Sequence, residues 1–270
     1  FEKNSYPFGE NGRQVSIGLF GTEVNGKLDQ NQYVVTNQWV YPKKKGGKRL
    51  DLVLLVNGFP FAIGELKTPV RAAITWLDGA QDINKYEQSI PQMFVSNVFN
   101  FATEGRCYRY GSVCMPAAKY GPWHTTEDKS DGSLAAVQTS VQDMITPYKM
   151  MDLFQFFTLY ATDSKYRKYK VIARYQQYEG ANMIVDRVRA GYPKKGLIWH
   201  FQGSGKSYLM EFAAVKLRML PDLMNPTVLI VDDRLDLESQ ITAQFHSSDV
   251  GNLESASTRE QLMTMLRQDI

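Results

Sequence analysis

The stretch DLVLLVNGFPFAIGELKTP, residues 51–69, constrains the fold more than any other segment of this chain. Two short runs rich in Val, Leu, Ile and Phe flank an Asn-Gly pair, which is a strong signal for a β-hairpin turn. The outer ends of the hairpin carry two carboxylates and a lysine, which are costly to bury without partners. We therefore predict a hairpin with a three-residue loop at 57–59 and a charged open end. Gly64, without a side chain, would let a substrate backbone approach closely.

The register of this hairpin decides which charged side chains meet. If Val56 pairs with Pro60, counting outward sets Asp51 opposite Glu65, and opposed residues share a face with Cβ atoms about 4.5–5.5 Å apart. Lys67 points to the same face. Two such carboxylates suit Mg²⁺, and Lys67 would activate a water or offset charge on a phosphate. The alternative is a solvated strand end with a Lys–Glu pair, and a one-residue slip would break the geometry.

A second motif, WHFQGSGKSYL, lies between a predicted strand at 195–200 and a predicted helix at 205–220. A glycine-rich turn before a helix lets backbone N–H groups converge on phosphate oxygens. The residues of this loop are Gly203, Ser204, Gly205, Lys206 and Ser207. Lys206 would reach the β and γ phosphates of ATP and the Ser207 hydroxyl would bind its Mg²⁺. His200 stands where such motifs usually begin with glycine, and a tight turn with a chance lysine is the alternative.

The order of predicted elements divides the chain into two parts. Strand signals dominate up to about residue 120, with a helix at 80–94 that ends before Pro91, and helical spacing begins at 144–161. The strand at 195–200, the following helix and a further strand, PTVLIVDD at 226–233, predict the beginning of a parallel sheet. We predict the domain boundary between residues 145 and 170.

Composition and charge exclude several classes of protein. With 270 residues, 43% hydrophobic and 22% charged, the chain is long enough for one large or two ordinary globular domains. Its cysteines, Cys107 and Cys114, have no second pair and no nearby histidine, which argues against a zinc or disulfide framework and fits a reducing, cytoplasmic compartment. No apolar run reaches the length of a membrane span. The net charge of +3 is mild, so local clusters of charge matter more than the total.

The order of the two motifs resembles the R (restriction and motor) subunit of type I restriction endonucleases, over roughly residues 30–270. That family places a PD-(D/E)xK nuclease before a superfamily 2 helicase-like translocase. Its nuclease pattern is matched by Arg49-Leu50-Asp51, Asn57-Gly58-Phe59-Pro60 and Glu65-Leu66-Lys67, with Leu50 in the place of the usual proline. The resemblance implies that Asp51 and Glu65 bind the nuclease Mg²⁺ and that Lys67 is the catalytic lysine.

The same resemblance assigns roles outside the hairpin. Tyr86 matches the tyrosine of a glutamine–x–x–x–tyrosine helix, although Asp82 stands where the glutamine is expected and Gln81 is one residue away. Gln177, in ARYQQYEGA, matches the adenine-reading glutamine of these translocases, and Arg234 falls in a segment that faces DNA. The family's own phosphate loop carries histidine at its first position. A basic loop before the hairpin is a further candidate for phosphate contacts, or simply solvated: Lys43, Lys44, Lys45, Lys48 and Arg49.

These observations predict an α/β chain. A PD-(D/E)xK nuclease domain, a mixed sheet flanked by helices, would occupy residues 1–145, a connecting helix or linker 146–168, and the start of a RecA-like parallel-sheet helicase motor 169–270. We expect an N-terminal piece, with a non-native N-terminus and an incomplete ATPase that binds ATP weakly and does not translocate.

The resemblance implies the restriction subunit of a type I restriction–modification enzyme, which couples ATP-dependent translocation to Mg²⁺-dependent cleavage of unmodified double-stranded DNA. Its partners would be methyltransferase (modification) and specificity subunits. Three alternatives stay open. The first is a DNA-repair nuclease–helicase without a methyltransferase partner, the second a non-catalytic module that docks to DNA or a partner, and the third a working motor with an inert nuclease.

Overall fold

The computed structural model describes residues 19–42, 47–124, 131–162, 165–232, 241–245 and 253–268, and the backbone of 5–7 and 14–16. The strands are β1 (Ser5–Pro7), β2 (Gln14–Ser16), β3 (Tyr33–Tyr41), β4 (Lys48–Val56), β5 (Phe59–Leu66), β6 (Phe99–Thr103), β7 (Tyr108–Gly111), β8 (Gly121–Pro122), β9 (Thr158–Thr162) and β10 (Lys168–Ile172). The α-helices are α1 (Trp76–Ser89), α2 (Leu134–Met144), α3 (Pro147–Phe156), α4 (Tyr175–Ala190), α5 (Lys206–Met219) and α6 (Arg259–Arg267).

A six-stranded mixed sheet carries the first half of the chain, in the order β3-β4-β5-β6-β7-β8. Strands β5 and β6 are parallel, and the other neighbouring pairs are antiparallel. A parallel pair needs a crossover connection, and α1 supplies it and packs on both strands. The predicted mixed sheet flanked by helices is therefore confirmed.

The turn of the β4–β5 hairpin is tighter than predicted. Asn57 and Gly58 have φ angles of 51° and 82°. Two left-handed residues in a row are typical of a type I′ turn, whose twist matches that of the strands. Val56 therefore pairs with Phe59, and the predicted pairing of Val56 with Pro60 is wrong.

A register shift farther along the hairpin compensates for the shorter turn. Beyond this bulge Leu52 pairs with Gly64, and one more step along the same register sets Asp51 opposite Glu65, as predicted. A Cβ atom at Gly64 would lie only 2.2 Å from Cζ of Phe101. The expectation that a substrate backbone approaches Gly64 is therefore wrong, because an aromatic ring already fills that space.

Helix α1 is fixed to the sheet at its first turn. Thr75 caps it, and Asp78 returns the bond by accepting from the N–H of Thr75 at 2.8 Å. Glu104, just after β6, accepts a hydrogen bond of 2.9 Å from the first N–H of the helix. Gly79 allows close packing, since a Cβ there would lie 3.1 Å from the nearest side chain of β6. The helix begins earlier than predicted and ends before Pro91, as predicted.

The parallel sheet predicted for the second half is not found in the part of the chain that the structure describes. Residues 195–200 and 226–232 form no strand, although α5 forms where a helix is predicted. Leu197 and Trp199 are 84% and 87% exposed. A parallel strand is stable when neighbouring strands pair with it and helices cover both faces, and the described residues offer these segments neither.

One hydrophobic core joins the two halves of the chain. It runs from the main sheet through α2 and α3 to α4 and α5. The hydroxyl of Tyr110, in β7, donates a hydrogen bond of 2.7 Å to the carbonyl of Ala173, just before α4. The domain limits at 145 and 168 stay predictions. No helix among the described residues is both long and apolar enough to cross a membrane.

Candidate active site

The open end of the β4–β5 hairpin brings charged side chains together around Glu65. The Glu65 side chain is 6% exposed, and Nζ of Lys67 lies 2.9 Å from its Oε1. The hydroxyl of Tyr86, on α1, lies 3.5 Å from the same oxygen. The other oxygen, Oε2, is buried and has no hydrogen-bond partner among the described residues. The structure thus holds one carboxylate oxygen that is desolvated and whose hydrogen-bonding capacity is not met among the described residues.

Asp51 is held beside Glu65 by the two strands that flank it. Its Oδ2 accepts a hydrogen bond of 2.9 Å from the N–H of Leu66 in β5. Its Oδ1 accepts one of 3.2 Å from Nε2 of Gln38 in β3. A carboxylate offers about four acceptor positions, so two remain for a cation or a phosphate-bound ligand.

The ionisation of these groups follows from their mutual distances. Burial raises the pKa of Glu65, Lys67 lowers it through a hydrogen bond, and the charge of Asp51 raises it again. Burial alone would lower the pKa of Lys67, but its bonds to Asp82, at 2.6 Å, and to Glu65 raise it above the ordinary lysine value. Burial and the charge of Glu65 raise the pKa of Tyr86 to about 12. Lys67 is therefore an ammonium at neutral pH and Tyr86 a neutral phenol.

The phosphate loop precedes α5 as predicted. Gly203 and Gly205 have φ angles of 81° and 80°, and Gly205 is the N-cap of the helix. Ser204 is buried, and its hydroxyl has no partner among the described residues. Nζ of Lys206 donates to two carbonyls of the loop, the nearer that of His200 at 3.1 Å. The loop thus combines a helix N-terminus, a cation and an unpartnered hydroxyl, which together suit a phosphate.

Gln177 lies beneath this loop and not at its mouth. Its Nε2 donates a hydrogen bond of 3.0 Å to the carbonyl of Gly205, and its Oε1 accepts one of 2.8 Å from the N–H of Arg174. A Cβ at Gly205 would lie 2.3 Å from the Gln177 amide, so only glycine fits there. Both ends of the amide are engaged by backbone groups, and its role in reading adenine stays a prediction.

Two family models match the chain, one in each half of the sequence. The model for the N-terminus of type I restriction enzyme R proteins matches residues 10–117, and the model for SWI2/SNF2 ATPases matches residues 176–270. A type I restriction enzyme HindI endonuclease subunit from Haemophilus influenzae is 32% identical over 252 residues, which cover 88% of this chain and 24% of that protein. A type I restriction enzyme endonuclease subunit from Staphylococcus aureus is 25% identical over 239 residues, and the match covers 88% of this chain and 24% of that protein.

The chain belongs to the R-subunit family of type I restriction enzymes. It spans about a quarter of the length of these relatives. The R-protein match contains the β4–β5 hairpin and α1, and the ATPase match contains the phosphate loop. The two motifs predicted from the sequence therefore lie one in each of the two matched regions.

A magnesium ion fits the R-subunit hairpin on the chemistry of its donors. Asp51 and Glu65 offer hard oxygen ligands, and the buried Oε2 of Glu65 is unpartnered among the described residues. Within those residues no group of three or more Asp, Glu, His or Cys side chains could hold a metal. Mg²⁺ does not need such a cage, because it is usually bound by one or two carboxylates, several waters and substrate phosphates.

The candidate DNA-binding residues are only partly visible in the structure. Lys43, Lys44, Lys45 and Arg234 lie outside the described residues. Lys48 lies 5.9 Å from the centre of the Tyr86 ring, which places its ammonium next to the candidate site. Arg49 is exposed at the start of β4.

Two residues of this region have roles that sequence reasoning missed. Asp82 binds Lys67, and its position four residues before Tyr86 on one helix face could have indicated this. Gln38 binds Asp51, but no local sequence pattern predicts this contact, because it depends on how β3 pairs with β4.

Proposed function

We propose that this chain is the DNA-cleaving part of a type I restriction R subunit, a PD-(D/E)xK nuclease, joined to the beginning of its ATP-driven motor. The substrate would be unmodified double-stranded DNA, cleaved with Mg²⁺ after ATP-dependent translocation. The partners would be modification and specificity subunits. The observation that carries this proposal is the buried, unpartnered oxygen of Glu65 beside Asp51, with the Lys67 ammonium 2.9 Å from the same carboxylate.

The side chains of the hairpin divide the work of phosphodiester hydrolysis between them. Asp51 and Glu65 would hold Mg²⁺, which when bound stabilises negative charge on the scissile phosphate. Lys67 stays protonated, so it contributes a fixed positive charge toward the phosphate oxygens and does not act as a base. Tyr86 keeps its proton and closes one side of the Glu65 carboxylate.

The loop before α5 would bind the phosphates of ATP. Lys206 donates to carbonyls of its own loop, the nearer at 3.1 Å, and these bonds are replaced when a phosphate enters. Ser207, the second residue of α5, would bind the Mg²⁺ of the nucleotide. A motor of this kind would deliver DNA to the nuclease hairpin, to which it is joined through the common core.

The test uses the complete R subunit assembled with modification and specificity subunits on an unmodified plasmid. Asp51→Ala and Lys67→Ala should each lower the rate of cleavage by at least about a hundredfold, because each removes a charge placed for the transition state. Their DNA-dependent ATPase rate should stay at the wild-type value. Lys206→Ala should lose ATP hydrolysis and, because cleavage follows ATP-dependent translocation, should lose DNA cleavage as well.

The control is Lys85→Ala, which removes a lysine with a 68% exposed side chain from the outer face of α1. It should cleave at the wild-type rate. Normal cleavage by Asp51→Ala and Lys67→Ala would reject the nuclease and favour the docking module. Cleavage without modification and specificity subunits would favour the repair nuclease–helicase.

A further inference from the structure

The backbone of β3 changes conformation at one residue opposite the candidate metal site. Asn37 pairs with Leu52 and Trp39 pairs with Leu50, so the residue between them, Gln38, lies opposite Asp51. Gln38 has a φ angle of 51°, in the left-handed region that residues other than glycine seldom adopt. Residues held in such sparsely populated backbone conformations cluster at active sites and ligand-binding sites.

The left-handed conformation of Gln38 coincides with a contact to Asp51. Nε2 of Gln38 donates a hydrogen bond of 3.2 Å to Oδ1. The N–H of Leu66 donates one of 2.9 Å to Oδ2 from the opposite strand. Both oxygens of the carboxylate are therefore held, one by β3 and one by β5, and its plane is fixed relative to Glu65.

Holding the Asp51 carboxylate in place affects how strongly it can bind a metal ion. A carboxylate that turns freely loses rotational freedom when it binds a cation, whereas a carboxylate held by outer hydrogen bonds is already oriented. Such outer partners typically change metal affinity or activity about 10- to 100-fold when they are removed. Gln38 is exposed on an edge strand, so its side chain contributes little to the core, and among the described residues its side chain hydrogen-bonds to Asp51 alone.

We propose that Gln38 is a positioning residue that orients the Asp51 carboxylate for Mg²⁺. The inference rests on the proposed function, because it takes Asp51 as a metal ligand. The register of β3 and β4 sets Gln38 opposite Asp51, and opposed residues of an antiparallel pair share one face of the sheet.

The variant Gln38→Gly tests the effect of the side chain separately from the effect of the backbone conformation. Glycine adopts the left-handed conformation without cost, so Gln38→Gly keeps the shape of β3 and removes only the amide. Gln38→Ala removes the amide and leaves the backbone strained. Asn37→Ala is the matched control, because it removes an exposed amide from the neighbouring residue of the same strand.

The experiment is a calorimetric titration of the 270-residue chain with Mn²⁺, counting only the binding that Asp51→Ala abolishes. We expect Gln38→Gly and Gln38→Ala to bind Mn²⁺ about tenfold more weakly than the wild type, and Asn37→Ala to bind with unchanged affinity. Thermal unfolding of each variant verifies that it is folded at the temperature of the titration.

Wild-type affinity in Gln38→Gly, with binding lost in Asp51→Ala, would overturn the inference and leave the proposed function standing. An equal loss in Asn37→Ala would also overturn it, because the strand and not the amide would then be responsible. Unchanged Mn²⁺ binding in Asp51→Ala would instead reject the metal site, and the inference would fall with it.

Discussion

At the scale of single residues, the candidate site depends on how one lysine is shared. Lys67 lies between Glu65 on its own strand, at 2.9 Å, and Asp82 on α1, at 2.6 Å. The shorter bond is to the residue outside the hairpin. Asp82 therefore sets where the ammonium points, and Oε2 of Glu65 has no partner within the part of the chain that the structure describes.

This arrangement predicts a defined effect of Asp82→Asn. The variant keeps the size of the side chain but weakens the ion pair, so Lys67 moves toward Glu65 and away from the phosphate. We expect the assembled enzyme to cleave plasmid DNA at least about tenfold more slowly, with an unchanged ATPase rate, because small displacements at a reacting centre are costly. Lys85→Ala, which removes only the solvent-side partner of Asp82, is the control. A wild-type cleavage rate in Asp82→Asn would show that Glu65 positions the lysine alone.

The residues of the site differ in how far the sequence reveals them. Asp51, Glu65 and Lys67 follow from the alternation of side chains along two strands, which fixes a shared face once the register is known. The predicted turn was wrong by one residue, yet the bulge restored the pairing near Asp51. Gln38 could not be predicted, because its contact depends on the pairing of β3 with β4 and no local signal marks its left-handed backbone.

At the scale of elements, α1 decides whether Asp82 and Tyr86 reach the hairpin. Glu87 anchors the far end of this helix from within the protein. Its carboxylate accepts hydrogen bonds from the Asn84 and Asn100 amides, each at 3.0 Å, and from the N–H of Cys114 at 2.8 Å. Burial nonetheless raises the pKa of Glu87, because three neutral donors do not replace water fully.

The raised pKa of Glu87 makes stability depend on pH in a stated direction. The folded state holds this proton more tightly than the unfolded state, so stability falls as pH rises from about 4.5, the ordinary value, through the folded pKa. Glu87→Gln removes the titrating carboxyl and therefore this pH dependence of stability. It also places a glutamine amide against the Asn84 amide, which donates to the carboxylate in the wild type. We expect the variant to melt below the wild type at pH 5 and to have a smaller deficit at pH 8, measured by circular dichroism.

Glu260→Gln, in the exposed first turn of α6, is the control and should differ from the wild type equally at both pH values. A deficit of Glu87→Gln that grows toward pH 8 would contradict the prediction.

The elements themselves were predictable where local signals suffice. A hairpin at the Asn-Gly pair and a helix after the phosphate loop both formed as predicted, although the hairpin turn is one residue shorter than predicted. The strands at 195–200 and 226–233 did not form in their described residues, because a parallel strand depends on distant partners more than on its own composition. Apolar composition alone could not distinguish the strands that formed from the two that did not.

At the scale of the whole molecule, a buried ion pair connects α3 with α5. Nζ of Lys216 lies 2.5 Å from Oδ1 of Asp152 and 2.8 Å from the Asn182 amide oxygen, and the two charged side chains are each 2% exposed. The ammonium also lies 4.9 Å and 5.4 Å from the ring centres of Phe156 and Phe157. The predicted linker over 146–168 thus contains part of the core that the two halves share. The burial of Lys216 and Asp152 could not be predicted from the sequence, because nothing in the local sequence around either residue indicates it.

Removing the lysine should therefore destabilise the chain strongly. Lys216→Ala leaves the Asp152 carboxylate buried without its cation, and breaking such a pair typically costs about 3–5 kcal/mol. We expect a loss of this size in the free energy of unfolding at pH 8, measured with urea, and a smaller loss at pH 5. Burial already raises the pKa of Asp152, and without Lys216 this carboxyl takes up a proton more readily in acid. In Lys216→Ala the charge of Asp152 lowers stability at pH 8, and part of that stability is regained as the pH falls and the carboxyl is protonated.

Two further variants separate the charge from the packing. Lys216→Met combined with Asp152→Leu removes both charges and keeps most of the volume, so it should regain most of the lost stability. Lys149→Met breaks the partly exposed pair with Asp143 next to the same core and should cost no more than about 1 kcal/mol. A loss below 1 kcal/mol in Lys216→Ala would mean that water reaches Asp152, and that the two halves are held together by their apolar contacts alone.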